Sequence, residues 1–110
     1  MDYYTLWCDL KDPHRDLEFA DNVAAYLGYL KEEGLIAAWQ LTRRKLGLGP
    51  EGFGEFTITI GTTDLAQLDR AFRLVASRGP EIEGRHAAVY GMVCNLRFGL
   101  SRDFPDRPRA

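Results

Sequence analysis

No stretch of this chain approaches the roughly twenty consecutive apolar residues that a helix needs to cross a bilayer, and no basic segment leads into a signal-like apolar core at its start. A cytoplasmic protein without a membrane partner is therefore expected. A basic excess is missing too. Lys and Arg number 14 against 16 Asp and Glu, for a net charge of -2. Neutralising a nucleic acid takes a concentrated positive field, so no nucleic-acid partner is expected. Cysteine and histidine are scarce, at two each, with no CxxC or HxxxH spacing, so neither a metal site nor a disulfide framework is expected. Cys8 and Cys94 read as free thiols.

What remains is a chain of 110 residues, 45% hydrophobic, enough for one domain with a real core. Neither a linker nor an internal repeat divides it, and residues 102–110 read as a C-terminal tail. Tyr4, Leu6, Cys8 and Leu10 alternate with Tyr3, Thr5, Trp7 and Asp9, which predicts a first strand. Phe19, Val23, Tyr26, Leu27 and Leu30 then line one face of a helix that begins at Asp12-Pro13 or at Asp16 and ends at Gly34. Leu35 to Lys45 predicts a second strand whose facing is open, because a slip of one residue exchanges Trp39 with Gln40. Glu55 to Ile60 predicts a third. Asp64 and Gln67 have capping-box spacing before the stripe Leu65, Leu68, Phe72, Val75, and Gly79-Pro80 stops that helix. A short helix over Glu83 to Val93 precedes the last strand, where Leu96, Phe98 and Leu100 alternate with Asn95, Arg97 and Gly99.

Gly47, Gly49 and Gly52 spell a formal GxGxxG. A dinucleotide fingerprint needs a helix after it. A strand follows here, so these glycines read as the turns of a hairpin loop, and no cofactor is expected.

The order strand, helix, strand, strand, helix, short helix, strand is the α+β, ferredoxin-like βαββαβ pattern, with both main helices on one face of a four-stranded antiparallel sheet. The other face carries Trp7, Thr5, Gln40, Thr42, Glu55, Thr57, Asn95 and Arg97, too aromatic for open solvent and too polar for a sealed core. A homodimer packing two such faces together would cover it and enclose a polar cavity.

Across residues 2–106, this order, the element lengths and the extra helix resemble the dimeric α+β barrel superfamily, which includes stress-responsive A/B barrel proteins and cofactor-free antibiotic-biosynthesis-type monooxygenases. The ending Arg102-Asp103-Phe104-Pro105-Asp106 looks like a feature of some uncharacterised small barrels. The resemblance implies a homodimer and leaves open whether the protein is an enzyme.

Three functional expectations follow. The first is an uncharacterised barrel that binds a small molecule in the polar cavity, through Trp7, Gln40, Arg44, Glu55, Thr57, His86, Asn95 and Arg97. A second is a cofactor-independent monooxygenase or isomerase acting on an aromatic or polyketide-like substrate, in which Glu55 serves as base and Arg97 or Asn95 stabilises an enolate oxygen. The third is a haem-binding protein with His86 as the iron ligand, as the resemblance to haem-handling barrels implies. Trp7 and Trp39 are candidates to stack on a flat ligand.

Overall fold

The alternation of the first strand decides the layering. In a computed structural model, which describes residues 1–77 and 79–106, Leu6, Cys8 and Leu10 of strand β1 (Asp2–Leu10) are buried, and Trp7 is only partly so. The apolar side is covered by helices α1 (Asp16–Glu32), α2 (Leu65–Ala76) and α3 (Pro80–Tyr90). Strands β2 (Ala38–Arg43), β3 (Phe56–Thr62) and β4 (Val93–Arg102) complete an antiparallel sheet of order β2-β3-β1-β4. This is the α+β architecture that the order of elements predicted. Residues 107–110 of the tail lie outside the described residues.

Helix α1 has two starts. Asp12 accepts a bond from the His14 amide at 3.0 Å and caps a 3-10 turn over Pro13–Arg15, after which Asp16 opens the α-helix and accepts from the Leu17 amide at 2.8 Å. Both sequence candidates are thus used. The predicted stripe is the buried face, with Phe19 and Val23 at 0% exposure. Each such side chain contributes about 1.5–3 kcal/mol on burial. Gly34, at φ 72°, takes the left-handed position that ends the helix, and Leu35 then donates back to the Leu30 carbonyl at 2.9 Å.

Several boundaries differ from expectation, and the starts of β2 and α3 have a physical reason. Strand β2 starts at Ala38, because Leu35 and Ile36 plug the core as non-strand chain. Helix α3 begins at Pro80: proline stops one helix and also suits the first turn of the next, whose amides need no partner. At the N-terminus of α2, Asp64 accepts from the Gln67 amide at 2.9 Å, while the Gln67 side chain accepts from the Thr63 amide at 2.8 Å. The capping signal was real, shifted by one residue on its return bond.

Register fixes the facing that the sequence left open. Trp39 lies opposite Ile60 and Leu41 opposite Ile58, on the helix side, so Gln40 and Thr42 point to the open face. The two tryptophans therefore sit on opposite sides of the sheet and do not share a ligand.

Candidate functional site

Two ranks of side chains cross the open face. One reads Thr42, Thr57, Trp7, Arg97 from β2 to β4, and the next reads Gln40, Thr59, Thr5, Gly99. Trp7 lies over Gly99, where an added Cβ would come within 3.1 Å of its ring.

The polar groups expected to form a site here are largely held within the protomer. Arg97 donates to the Gly52 carbonyl at 2.7 Å, and Arg44 donates to the Phe53 carbonyl at 2.7 Å, so both pin the glycine-rich loop between β2 and β3. That loop carries Phe53 onto Trp7, with ring centroids 4.8 Å apart. Gly47 and Gly52 take φ of 68° and 80°, and a Cβ on Gly54 would strike the Cys8 backbone. The glycines thus serve turns and close approach.

The proposed Glu55 and Arg97 pair is not formed. Glu55 sits at the start of β3 beside β2, where its carboxylate meets Arg43 at 2.8 Å, whereas Arg97 belongs to β4 on the far side of β1. Arg43 also reaches Asp16 at 3.1 Å, tying the start of α1 to the sheet. Asn95, at φ 53° in the bulge of β4, donates to Asp9, which also accepts from the Glu55 amide at 2.8 Å. Asp9 thereby joins β3 to β4 beneath β1.

His86 lies on the other side of the sheet. There, α1, α2 and α3 fail to close fully on β1 and β3, and leave a cavity of about 250 Å³. Its walls are mostly aliphatic, from Val23, Leu27, Ile58 and their neighbours, with Tyr4, Tyr26, Tyr90 and His86 as the polar exceptions. Phe72 and Phe98, 48% and 54% exposed, flank Tyr4 at its mouth, with ring centroids 5.1 and 5.8 Å away. No Asp, Glu, Lys or Arg lines it among the described residues.

The tyrosines define its chemistry. Tyr26 is only 6% exposed, and none of the three phenols has a hydrogen bond to protein among the described residues. Burial pushes the Tyr26 phenol up to about 12, and burial also raises Tyr4 and Tyr90. All three stay neutral at physiological pH, as hydrogen-bond donors. His86 stacks on Tyr90 at 4.3 Å and meets Tyr26 edge-on at 5.7 Å. A cavity of about 250 Å³ does not match a tetrapyrrole and its axial iron. Tyr4, Tyr26 and Tyr90 were missed by sequence reasoning. A phenol in an otherwise aliphatic helical stripe, Tyr26 among Val23, Leu27 and Leu30, was the available signal.

Residues 1–110 match a family described as a family of unknown function, DUF6614. The chain belongs to that family. No curated protein matches it. Among solved structures, a protein of Arabidopsis thaliana is similar at TM-score 0.74 and 7% identity, over 97% of this chain and 99% of that one. A dimeric ferredoxin-like protein of unknown function from Jannaschia sp. CCS1 is similar at TM-score 0.68 and 9% identity, covering 93% and 98%. A dimeric protein of unknown function and ferredoxin-like fold from Bacteroides fragilis NCTC 9343 follows at 0.62 and 8%, covering 93% and 95%. This DUF6614 chain is therefore an uncharacterised protein of ferredoxin-like fold, and identities this low carry the fold alone. Its described helices include none long and apolar enough to cross a membrane.

Proposed function

We propose that this chain is a homodimeric small-molecule-binding protein whose ligand occupies the cavity between the helices and the sheet of each protomer. The cavity carries the reading. A recess of about 250 Å³, walled mostly by apolar side chains and opening past Tyr4, Phe72 and Phe98, has room and lining for a small apolar molecule. Unpartnered phenol groups inside apolar walls are the usual lining of a ligand pocket: much apolar area and a few convergent polar groups.

The open face supplies the dimer. Its two ranks mix Thr, Gln and Trp over an area that no helix covers among the described residues, and β2 and β4 are the edges of the described sheet. A second copy laid face to face covers the ranks and blunts both edges. The similar proteins from Jannaschia and Bacteroides, both described as dimeric, support this arrangement by analogy of fold. Binding, rather than turnover, is the proposed activity, because Glu55 and Arg97 are held apart by other bonds.

Native mass spectrometry of the freshly purified protein, with light scattering, tests both halves. A dimer is expected, and Thr5→Glu with Thr59→Arg should give a folded monomer. A monomer at high micromolar concentration would remove the dimer. A Val23→Trp variant, which fills the cavity, should abolish any co-purifying adduct; an adduct that persists on this folded variant would place the ligand elsewhere.

A further inference from the structure

We infer that the cavity selects an uncharged, largely apolar molecule of about two fused rings that presents one hydrogen-bond acceptor, an oxygen such as a carbonyl, to Tyr26 and Tyr90. This inference rests on the ligand cavity proposed above and specifies the class of molecule that fits it.

Size comes first. An apolar cavity of about 150 Å³ lined by Leu, Ile and Phe takes up benzene. At about 250 Å³, this one has room for a second ring fused to the first. A single ring leaves it partly empty.

Charge comes from what the wall lacks. A carboxylate or ammonium moved into apolar surroundings needs a partner of opposite charge; no Asp, Glu, Lys or Arg lines the cavity among the described residues, and His86, the titratable nitrogen group on its wall, is taken up in stacking on Tyr90 at 4.3 Å. Phenols do not replace one. They remain neutral donors, so they complement an acceptor without compensating a full charge.

The acceptor follows from the tyrosines on the wall. Tyr26, 6% exposed on α1, and Tyr90, partly buried at the end of α3, both line the cavity and have no protein hydrogen bond among the described residues. Each phenol on the wall offers a donor to a ligand oxygen inside the cavity, where apolar surroundings make the hydrogen bond count. The Tyr4, Phe72 and Phe98 rings at the mouth present aromatic surface to a molecule passing in, which suits a flat apolar body. A dihedral-free ring system loses little conformational entropy on binding.

Three probes of matched shape test this: naphthalene, 2-acetylnaphthalene and 2-naphthoate, titrated at neutral pH and followed by thermal shift and calorimetry. The ketone is expected to bind most tightly, naphthalene next, and the carboxylate at least about tenfold more weakly than the ketone. In Tyr26→Phe, affinity for the ketone should fall about tenfold while that for naphthalene is unchanged; Tyr90→Phe provides the same comparison if the first variant is unstable. Equal or tighter binding of 2-naphthoate overturns the inference while leaving the cavity as a ligand site. Equal ketone binding in both Phe variants overturns the role of the hydroxyls. If none of the three probes binds, naphthalene included, the ligand-cavity reading itself fails.

Discussion

Arg97 faces Trp7 across the register of β1 and β4, and its guanidinium donates to the Gly52 carbonyl oxygen at 2.7 Å. A strand residue thereby holds a loop that belongs to the opposite half of the sheet. The same loop is held from β2 by Arg44, and Phe53 lies between the two arginine anchors, with the Arg97 guanidinium 5.6 Å from its ring.

Replacing Arg97 with Ala should free that loop. The expected loss of stability is about 1 kcal/mol, the ordinary worth of one such hydrogen bond. Amide exchange over residues 47–54 should accelerate more than in the rest of the sheet. Unchanged exchange there would show that the loop is held by Arg44 and Phe53 alone.

Two glycine substitutions should act in opposite directions. Gly28 lies inside α1 with nothing within 4 Å of an added Cβ, so Gly28→Ala should stabilise by about 0.5–1 kcal/mol through helix propensity. Gly54 is buried against the Cys8 backbone, so Gly54→Ala forces β1 and β3 apart and should cost about 2–3 kcal/mol. Urea midpoints of the two variants check both signs.

The Arg43 cluster predicts an acid limb in stability. The Arg43 hydrogen bond, followed by the Leu17 amide, holds the Asp16 carboxyl below its ordinary value of 3.8. A carboxyl lowered in the folded state adds stability that is complete above its unfolded value and is lost as pH falls through the folded one. The difference in melting temperature between the protein and Arg43→Gln should therefore be present at neutral pH and close as pH drops below the ordinary carboxyl value of 3.8. A gap that persists in acid would mean that Arg43 acts through its packing over Phe56, 5.1 Å from that ring.

The opposite limb belongs to Tyr26. Its phenol, ordinarily at 10.0, is raised to about 12, mainly by burial and then by Tyr4. A raised group adds stability that is complete below the unfolded value and lost as pH rises through the folded one. Melting temperature should fall between pH 10 and 12, and less so in Tyr26→Phe. Phenolate absorbance should rise in step with unfolding rather than ahead of it.

The two thiols should differ sharply. Cys94 is exposed, whereas Cys8 is fully buried and its thiol is pushed up to about 12 by burial, then by Asp9 and Cys94. An aromatic disulfide reagent at neutral pH should titrate one thiol per chain quickly and the second only in denaturant. Two fast thiols would contradict the buried setting of Cys8.

Elements were legible in this sequence wherever a single periodicity ruled. Phe19 to Leu30 could only be a helix face, and Tyr4 to Leu10 could only be a strand with one oily side. Strand β2 was not legible in its facing, since Ile36, Ala37, Ala38 and Trp39 are apolar on both parities; the pairing of Trp39 with Ile60 decided it. Glu55 was assigned by alternation with Thr57, yet at a strand end an arginine on the adjacent strand outbids the pleat. The cavity was invisible for another reason. Val23, Tyr26, Leu27 and Val89 look like a filled core in one dimension, and only the spacing of three helices over the sheet shows that they do not meet.

The outer ends of β1 and β4 are also joined. The Met1 ammonium lies 3.2 Å from Asp103, Tyr3 donates to the same carboxylate at 2.7 Å, and Asp2 is the register partner of Arg102. Because β1 and β4 run antiparallel, their outer ends sit side by side, and a force pulling those ends apart acts across the strands rather than along them. The ladder then carries the load one hydrogen-bonded pair at a time instead of sharing it. Pulled apart at Met1 and Asp103, the domain should open like a zipper from that clasp inward, at far lower force than if it were pulled along β1 and β4 in shear.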